Sequence, residues 1–211
     1  MRKNLLLITL TCAFLFSFFH SPSLVQSQTV DSWEKGPNKR QPPQQVMDAI
    51  GVKPGMIIGE VGAGRGRYTV HLAMRVGEEG KIFANDIKEG ALSYLRDRCQ
   101  RDNIKNVETI LGKVDDPLLP KGILDMAIMV WVYHHLDKPV DLLKNLIPSL
   151  KPGAAVVIID PNPEIEGESD SHRSSIADRV KKEAGKAGFE LIRTETFLSR
   201  DNIFILKVKA S

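Results

Sequence analysis

From Gln44 onward, short runs rich in β-branched residues alternate with amphipathic stretches, a rhythm that leaves few folds open to the chain. The strand candidates are Met56 to Val61 (MIIGEV), Lys81 to Asp86 (KIFAND), Val107 to Leu111 (VETIL), Leu124 to Val132 (LDMAIMVWV) and Ala154 to Asp160 (AAVVIID). Three of these are nearly continuous apolar runs, as strands are when helices cover both faces of a parallel sheet. Between them Ala91, Leu92, Leu95 and Cys99, and later Val140, Leu142, Leu143, Leu146 and Ile147, recur at helical spacing. Turn signals at Lys53-Pro54-Gly55, Gly77 to Gly80 and Lys151-Pro152-Gly153 fall where elements should end. A helix at Ser174 to Ala187 is followed by two strand-like runs, Glu190 to Phe197 and Ile203 to Lys209. Leu198 to Asn202, with its turn-forming Asp201-Asn202, separates them. The pattern predicts an α/β fold: a Rossmann-like, doubly wound, mostly parallel seven-stranded sheet that closes on a carboxyl-terminal antiparallel hairpin, with helices on both faces.

The first residues read as an export signal. Arg2 and Lys3 make a basic start, Leu5 to Phe19 is an apolar run broken only by Thr9, Thr11 and Ser17, and Val25-Gln26-Ser27 offers small residues for cleavage. The run is shorter than the roughly 20 residues of a spanning helix. The expected organisation is a signal at 1–27, an extension at 28–43 and one domain at 44–211, exported to a periplasmic or extracellular space, with an uncleaved anchor as the alternative. No membrane partner is expected once the signal is removed. With 29 basic and 26 acidic side chains the chain carries +3; without Arg2 and Lys3 the count is 27 against 26, or +1, which gives no basic footprint for nucleic acid. Hydrophobic residues at 42%, charged residues at 26% and a mean hydropathy of -0.15 exclude a disordered chain and a multi-span membrane protein. Cys12 lies in the apolar run, so Cys99 is left without a disulfide partner.

The strongest functional signal is Glu60-Val61-Gly62-Ala63-Gly64-Arg65-Gly66, between the first strand and a helix that continues through Tyr68, Leu72 and Val76. Glycines there allow a sharp turn and close approach of a ligand to the backbone. A dinucleotide fingerprint has its third glycine one residue later, where this chain has Arg67, so a nicotinamide cofactor is disfavoured.

This loop resembles the first motif of the class I S-adenosylmethionine-dependent methyltransferases, and the resemblance extends over roughly Gln44 to Lys209. Asp86, closing the second strand, looks like that family's ribose-binding acid, a carboxylate able to accept from two vicinal hydroxyls. After the third strand the family commonly has an acid that accepts from the adenine amine; here Lys113, a donor, stands at that place, so the acceptor moves to Asp115, Asp116 or a backbone carbonyl. The resemblance thus implies S-adenosyl-L-methionine as cofactor, held by Glu60, Gly62, Ala63, Gly64, Gly66, Asp86, Ile87, Asp115, Asp116 and Trp131. Tyr133, His134 and His135 follow the fourth strand, where the family presents its acceptor, and are the catalytic candidates; a histidine there can take a proton from a hydroxyl, amine or thiol as the methyl moves. Trp33 and Arg40 lie in a stretch that often covers the cofactor, and His172 and Arg173 lie in a polar loop. His134 and His135 are adjacent with no third ligand at a helpful spacing, so no metal is expected. The implied activity is methyl transfer to a small-molecule or side-chain nucleophile; the alternative is a non-catalytic exported binder of S-adenosylmethionine or a nucleoside.

Overall fold

A computed structural model describes residues 31–162 and 176–210. The expected signal at 1–27, and His172 and Arg173 with their loop, lie outside the described residues. Among the described residues, seven strands form one sheet: β1 (Ile57–Val61), β2 (Lys81–Asp86), β3 (Val107–Leu111), β4 (Leu124–Val130), β5 (Leu150–Pro161), β6 (Phe189–Glu195) and β7 (Asp201–Val208). Their order is β3-β2-β1-β4-β5-β7-β6, parallel from β3 through β5, with β7 antiparallel to both β5 and β6. The helices are α1 (Lys35–Arg40), α2 (Pro43–Ile50), α3 (Arg67–Val76), α4 (Glu89–Arg101), α5 (Pro139–Leu146) and α6 (Ile176–Lys186).

Alternation along the central strands divides the core in two. Met126, Ile128 and Val130 of β4, with Val157 and Ile159 of β5, pack against Val46 and Met47 of α2 and Tyr68, Leu72 and Val76 of α3. The intervening Ala127, Met129, Val156 and Ile158 face Leu142, Leu143 and Leu146 of α5 and Val180 and Ala184 of α6. Both faces are thus apolar, which is why these strands lack a polar alternation. The chain runs outward from β1 to β3 and then crosses back to β4, so strand order reverses between β1 and β4, and open sheets of this kind bind ligands beyond the strand ends at that point.

Three sequence expectations shift in detail. Lys151-Pro152-Gly153 is taken up within β5 as an irregularity, between the pairs Leu124–Leu150 and Met126–Ala155. Asp201 and Asn202 lie inside β7, paired with Pro161 and Asp160, and the turn falls at residues 196–200. β4 stops at Val130 because Trp131 takes φ +56°, which breaks extended pairing. Ile158 is wholly buried, whereas Ile192 is 48% exposed on the edge strand β6. Ile158→Ala is expected to cost about 2–5 kcal/mol in urea unfolding, and Ile192→Ala under about 0.5 kcal/mol.

Candidate active site

The turn from β1 into α3 uses its three glycines for different reasons. Gly62 and Gly66 have φ of +73° and +82°, and a Cβ on them would stand 2.3 Å from Val132 Cγ2 and 2.2 Å from Leu95 Cδ1. They admit neighbouring side chains against bare backbone. Gly64 has φ +56° and nothing within 4 Å of an added Cβ, so it borders open space. That space is a cleft of about 880 Å³ whose lining includes Gly62, Gly64, Asp86, Ile87, Lys113 and His135.

Asp86 fixes the cleft floor. Its Oδ2 accepts the Gly64 N–H at 2.8 Å and its Oδ1 accepts the Lys88 N–H at 2.9 Å, which leaves lone pairs on both oxygens for a ligand. The Ala63 N–H donates to the Asn85 carbonyl at 2.8 Å, so Ala63 clamps the loop to β2 and is itself buried. Glu60 turns away, toward α3: it is 2% exposed, and its Oε2 accepts the Thr69 hydroxyl at 2.5 Å. Burial pushes its carboxyl up to about 7, against the pull of Thr69 and Arg67.

Beyond β3, the Asn85 side-chain amide donates to the Pro117 carbonyl at 2.9 Å and the Ile110 carbonyl at 3.3 Å, and a Cβ at Gly112 would stand 2.2 Å from it. The following turn is tight, with the Lys113 N–H on the Asp116 carbonyl at 2.7 Å. Lys113 and Val114 therefore line the cleft, and the structure does not bring Asp115 and Asp116 into its lining. Asp115 pairs with Lys138 at 3.0 Å, and Asp116 Oδ1 accepts the Leu118 N–H at 2.9 Å.

At the exit of β4, the Trp131 indole N–H donates to Asp201 Oδ1 at 2.6 Å, while the guanidiniums of Arg40 and Arg67 lie 4.8 and 5.0 Å from its ring centroid. A 3₁₀ turn over Tyr133–His135 then sends three side chains in three directions. Tyr133 points inward and donates to Glu183 Oε2 of α6 at 2.8 Å; burial and that carboxylate raise its pKa well above the ordinary phenol range. His134 is held twice by the fully buried Asp160: Oδ2 accepts its backbone N–H at 2.8 Å, and Oδ1 lies 2.6 Å from Nδ1. A carboxylate at Nδ1 fixes the proton there and leaves Nε2 as the basic nitrogen. Burial raises the Asp160 carboxyl, and the hydrogen bond from His134 opposes it. His135 faces the cleft and also lines a second recess of about 320 Å³, together with Arg40, Trp131, His134 and Pro161.

Of the residues expected from sequence, Gly62, Gly64, Asp86, Ile87 and His135 meet at the cleft, Trp131 and His134 meet at the adjoining recess, Ala63 is buried and Gly66 backs onto Leu95 outside the cleft lining, and Glu60, Asp115, Asp116 and Tyr133 are turned to other partners. Asp160 was not foreseen. Its signal is an acid closing an apolar strand in AAVVIID, the place Asp86 occupies in KIFAND.

The molecule is therefore a doubly wound domain with a glycine-loop cleft at its topological switch. Residues 58–153 match the model of a methyltransferase domain family. Demethylmenaquinone methyltransferase of Bacillus mycoides is 26% identical over 138 residues, 65% of this chain and 54% of that protein. A ubiquinone/menaquinone biosynthesis C-methyltransferase of Idiomarina loihiensis is 26% identical over 115 residues, covering 54% of this chain and 46% of the relative. The chain spans about half the length of these relatives. A solved S-adenosylmethionine-dependent methyltransferase from Aquifex aeolicus superposes with a TM-score of 0.71 at 26% identity, over 84% of this chain and 98% of its own. The cyclase SpnF shares the fold at a TM-score of 0.66 and 12% identity, over 82% of each chain. Fold, loop and matches together make the chain similar to the class I S-adenosylmethionine-dependent methyltransferases.

The residues present fit the cofactor of that class. The space in front of Gly64 is a cradle that any side chain there would fill, and Asp86 offers acceptors beside it. Gly64→Val is expected to weaken S-adenosylhomocysteine binding in calorimetry by at least about tenfold, whereas Gly66→Val, which strikes Leu95, lowers stability by about 1–3 kcal/mol. Asp86→Ala removes a charged acceptor, at a cost of about ten- to a hundredfold in affinity. The folded-state pKa of Glu60 is raised, so its contribution to stability is complete below 4.5 and is lost as pH rises through about 7. Glu60→Gln should therefore remove a loss of stability that the unmodified protein shows across that interval in pH-dependent unfolding.

Proposed function

We propose that the protein transfers a methyl group from S-adenosylmethionine to a nucleophilic atom of a small molecule. One juxtaposition carries the reading: the cleft that begins at Gly64 and Asp86 ends at His135, where it adjoins the recess containing His134 on its Asp160 support. The relatives' names, both of quinone methyltransferases, support a small acceptor.

Asp86 would accept from the ribose hydroxyls and the loop around Gly64 would lie against the cofactor, with Ile87 forming an apolar wall. When bound, S-adenosylmethionine supplies a methyl on a sulfonium sulfur, which keeps the electron pair of the broken C–S bond as the methyl passes to the nucleophile. His134 accepts the proton of an acceptor O–H, N–H or S–H at Nε2, and Asp160 holds the imidazole in that tautomer and stabilises the imidazolium. The glycine loop and the Tyr133–His135 turn, the latter pinned from α6 by the Arg179 guanidinium on the Leu136 carbonyl at 3.3 Å, provide alignment.

Calorimetry with S-adenosylmethionine and S-adenosylhomocysteine is expected to give binding, and NAD none; failure of both adenosyl ligands overturns the reading. With a radiolabelled methyl donor and a panel of small hydroxyl, amine and thiol acceptors, His134→Gln is expected to lower kcat by about 10²- to 10⁴-fold. Asp160→Asn is expected to act in the same direction, and in both variants S-adenosylhomocysteine affinity should stay unchanged.

We also infer, from Arg2, Lys3, the apolar run to Phe19 and the small residues before Gln28, that the protein is exported and processed. Mass spectrometry of natively expressed protein should find an amino terminus near Gln28. An intact terminus recovered with membranes supports the anchored alternative instead.

A further inference from the structure

The recess beside the cleft has one feature the proposed reaction leaves unused. Arg40 is half-buried, its guanidinium lies 4.8 Å from the centroid of the Trp131 ring, and it makes no hydrogen bond or ion pair with any described residue. Its neighbour Arg67, 5.0 Å from the same centroid, differs: its Nη2 donates to Gln41 Oε1 at 2.6 Å and its Nη1 to Asn38 Oδ1 at 3.3 Å. Two buried carboxylates have other partners, although Asp201 Oδ2 accepts no hydrogen bond from a described residue. Asp160 serves His134 at 2.6 Å, and Asp201 accepts the Trp131 indole N–H at 2.6 Å while its charge acts on Arg67. Among the described residues Arg40 thus has no anionic partner, and it lines a recess otherwise walled by an indole, a proline and two imidazoles. Leaving such a donor set unmet beside partly desolvated walls is unfavourable, and a flat oxyanion meets it best because a carboxylate accepts two parallel N–H bonds from one guanidinium.

We propose that this recess is the acceptor site and that Arg40 binds a carboxylate of the methyl acceptor, so that the acceptor is a small, compact carboxylic acid. The proposal rests on the methyltransfer reading and specifies its substrate. About 320 Å³ is at the lower end of the roughly 300–1,000 Å³ of ligand pockets, enough for a single-ring or short-chain acid. An acid anchored at Arg40 lies in the same recess as His134, the proton acceptor, and beside His135, the one residue shared with the cofactor cleft. The apolar body of the acid would meet Pro161 and the Trp131 ring edge, and the carboxylate would neutralise Arg40.

The test titrates the full chain, saturated with S-adenosylhomocysteine, with benzoate and with its neutral isostere benzamide, read by calorimetry and by tryptophan fluorescence. The unmodified protein is expected to bind benzoate about tenfold or more tighter than benzamide. Arg40→Gln should erase that preference with S-adenosylhomocysteine affinity unchanged, and Arg40→Lys should keep part of it. Equal affinity for the two probes overturns the proposal, as does an absence of binding by either up to about 10 mM. A benzoate preference that survives Arg40→Gln also overturns it. If Arg40→Gln instead weakens S-adenosylhomocysteine and leaves benzoate untouched, Arg40 serves the cofactor's own carboxylate and the proposal is equally overturned. The comparison of probes on the unmodified protein needs no variant, so it decides even if a substitution unfolds the chain. Failure of the methyltransfer reading has a separate signature, the absence of S-adenosylhomocysteine binding in the first titration.

Discussion

The buried guanidinium of Arg98 organises the cofactor end of the molecule. It is 1% exposed and grips both carboxylate oxygens of Glu34, itself fully buried, while Nη1 reaches the Gly66 carbonyl at 3.4 Å. One side chain of α4 thereby ties together the amino-terminal segment, the end of the glycine loop and the helix that follows β2. Such a pair is costly to bury, and replacing it with apolar groups is often neutral for stability. Its value here is positional: an apolar substitute would fill the space but would not fix Glu34 and Gly66 in register. The segment held in this way carries Asn38, Arg40 and Gln41 across the cleft side, where Arg67 binds two of them.

Two acids of adjacent strands show how environment divides chemically equal groups. Glu60, pointing into the layer under α3, is driven toward its neutral form by burial and meets a single hydroxyl. Asp86, at the end of the next strand, stays at the surface of the cleft with two backbone N–H donors. The first acid secures the helix that carries the loop and the second shapes the loop itself, so the glycine turn is braced from both sides. Asp160 continues the pattern on β5, where burial is offset by a histidine.

Much of this was legible in the sequence. Apolar runs such as AAVVIID locate the sheet because a strand buried on both faces has no polar alternation to obscure it, and the glycine loop locates the cleft because its backbone conformations exclude other residues. Orientation was not legible. Whether Tyr133, His134 or His135 faces the ligand depends on a short 3₁₀ turn whose direction is set by Glu183, Arg179 and Asp160, residues 26 to 50 positions away. Asp115 and Asp116 looked available because nothing local reveals Lys138 or the turn closed by Lys113. Asp201-Asn202 reads as a turn, and only the partner strand β5 draws it into β7.

That pairing of β7 has a consequence for how the sheet is completed. The strand latest in sequence among the described elements does not occupy the margin; it is inserted between β5 and β6, with residues 201–208 bonded on both sides. Without those residues β5, with its apolar run from Ala154 to Ile159, has an open hydrogen-bonding flank, and β6 has no neighbour among the described strands on which to register. An unsatisfied edge of that kind invites pairing with another chain. This strand therefore acts as a keystone: it closes the flank of β5, gives β6 its register and supplies Ile203, Phe204, Ile205 and Leu206 to both halves of the core.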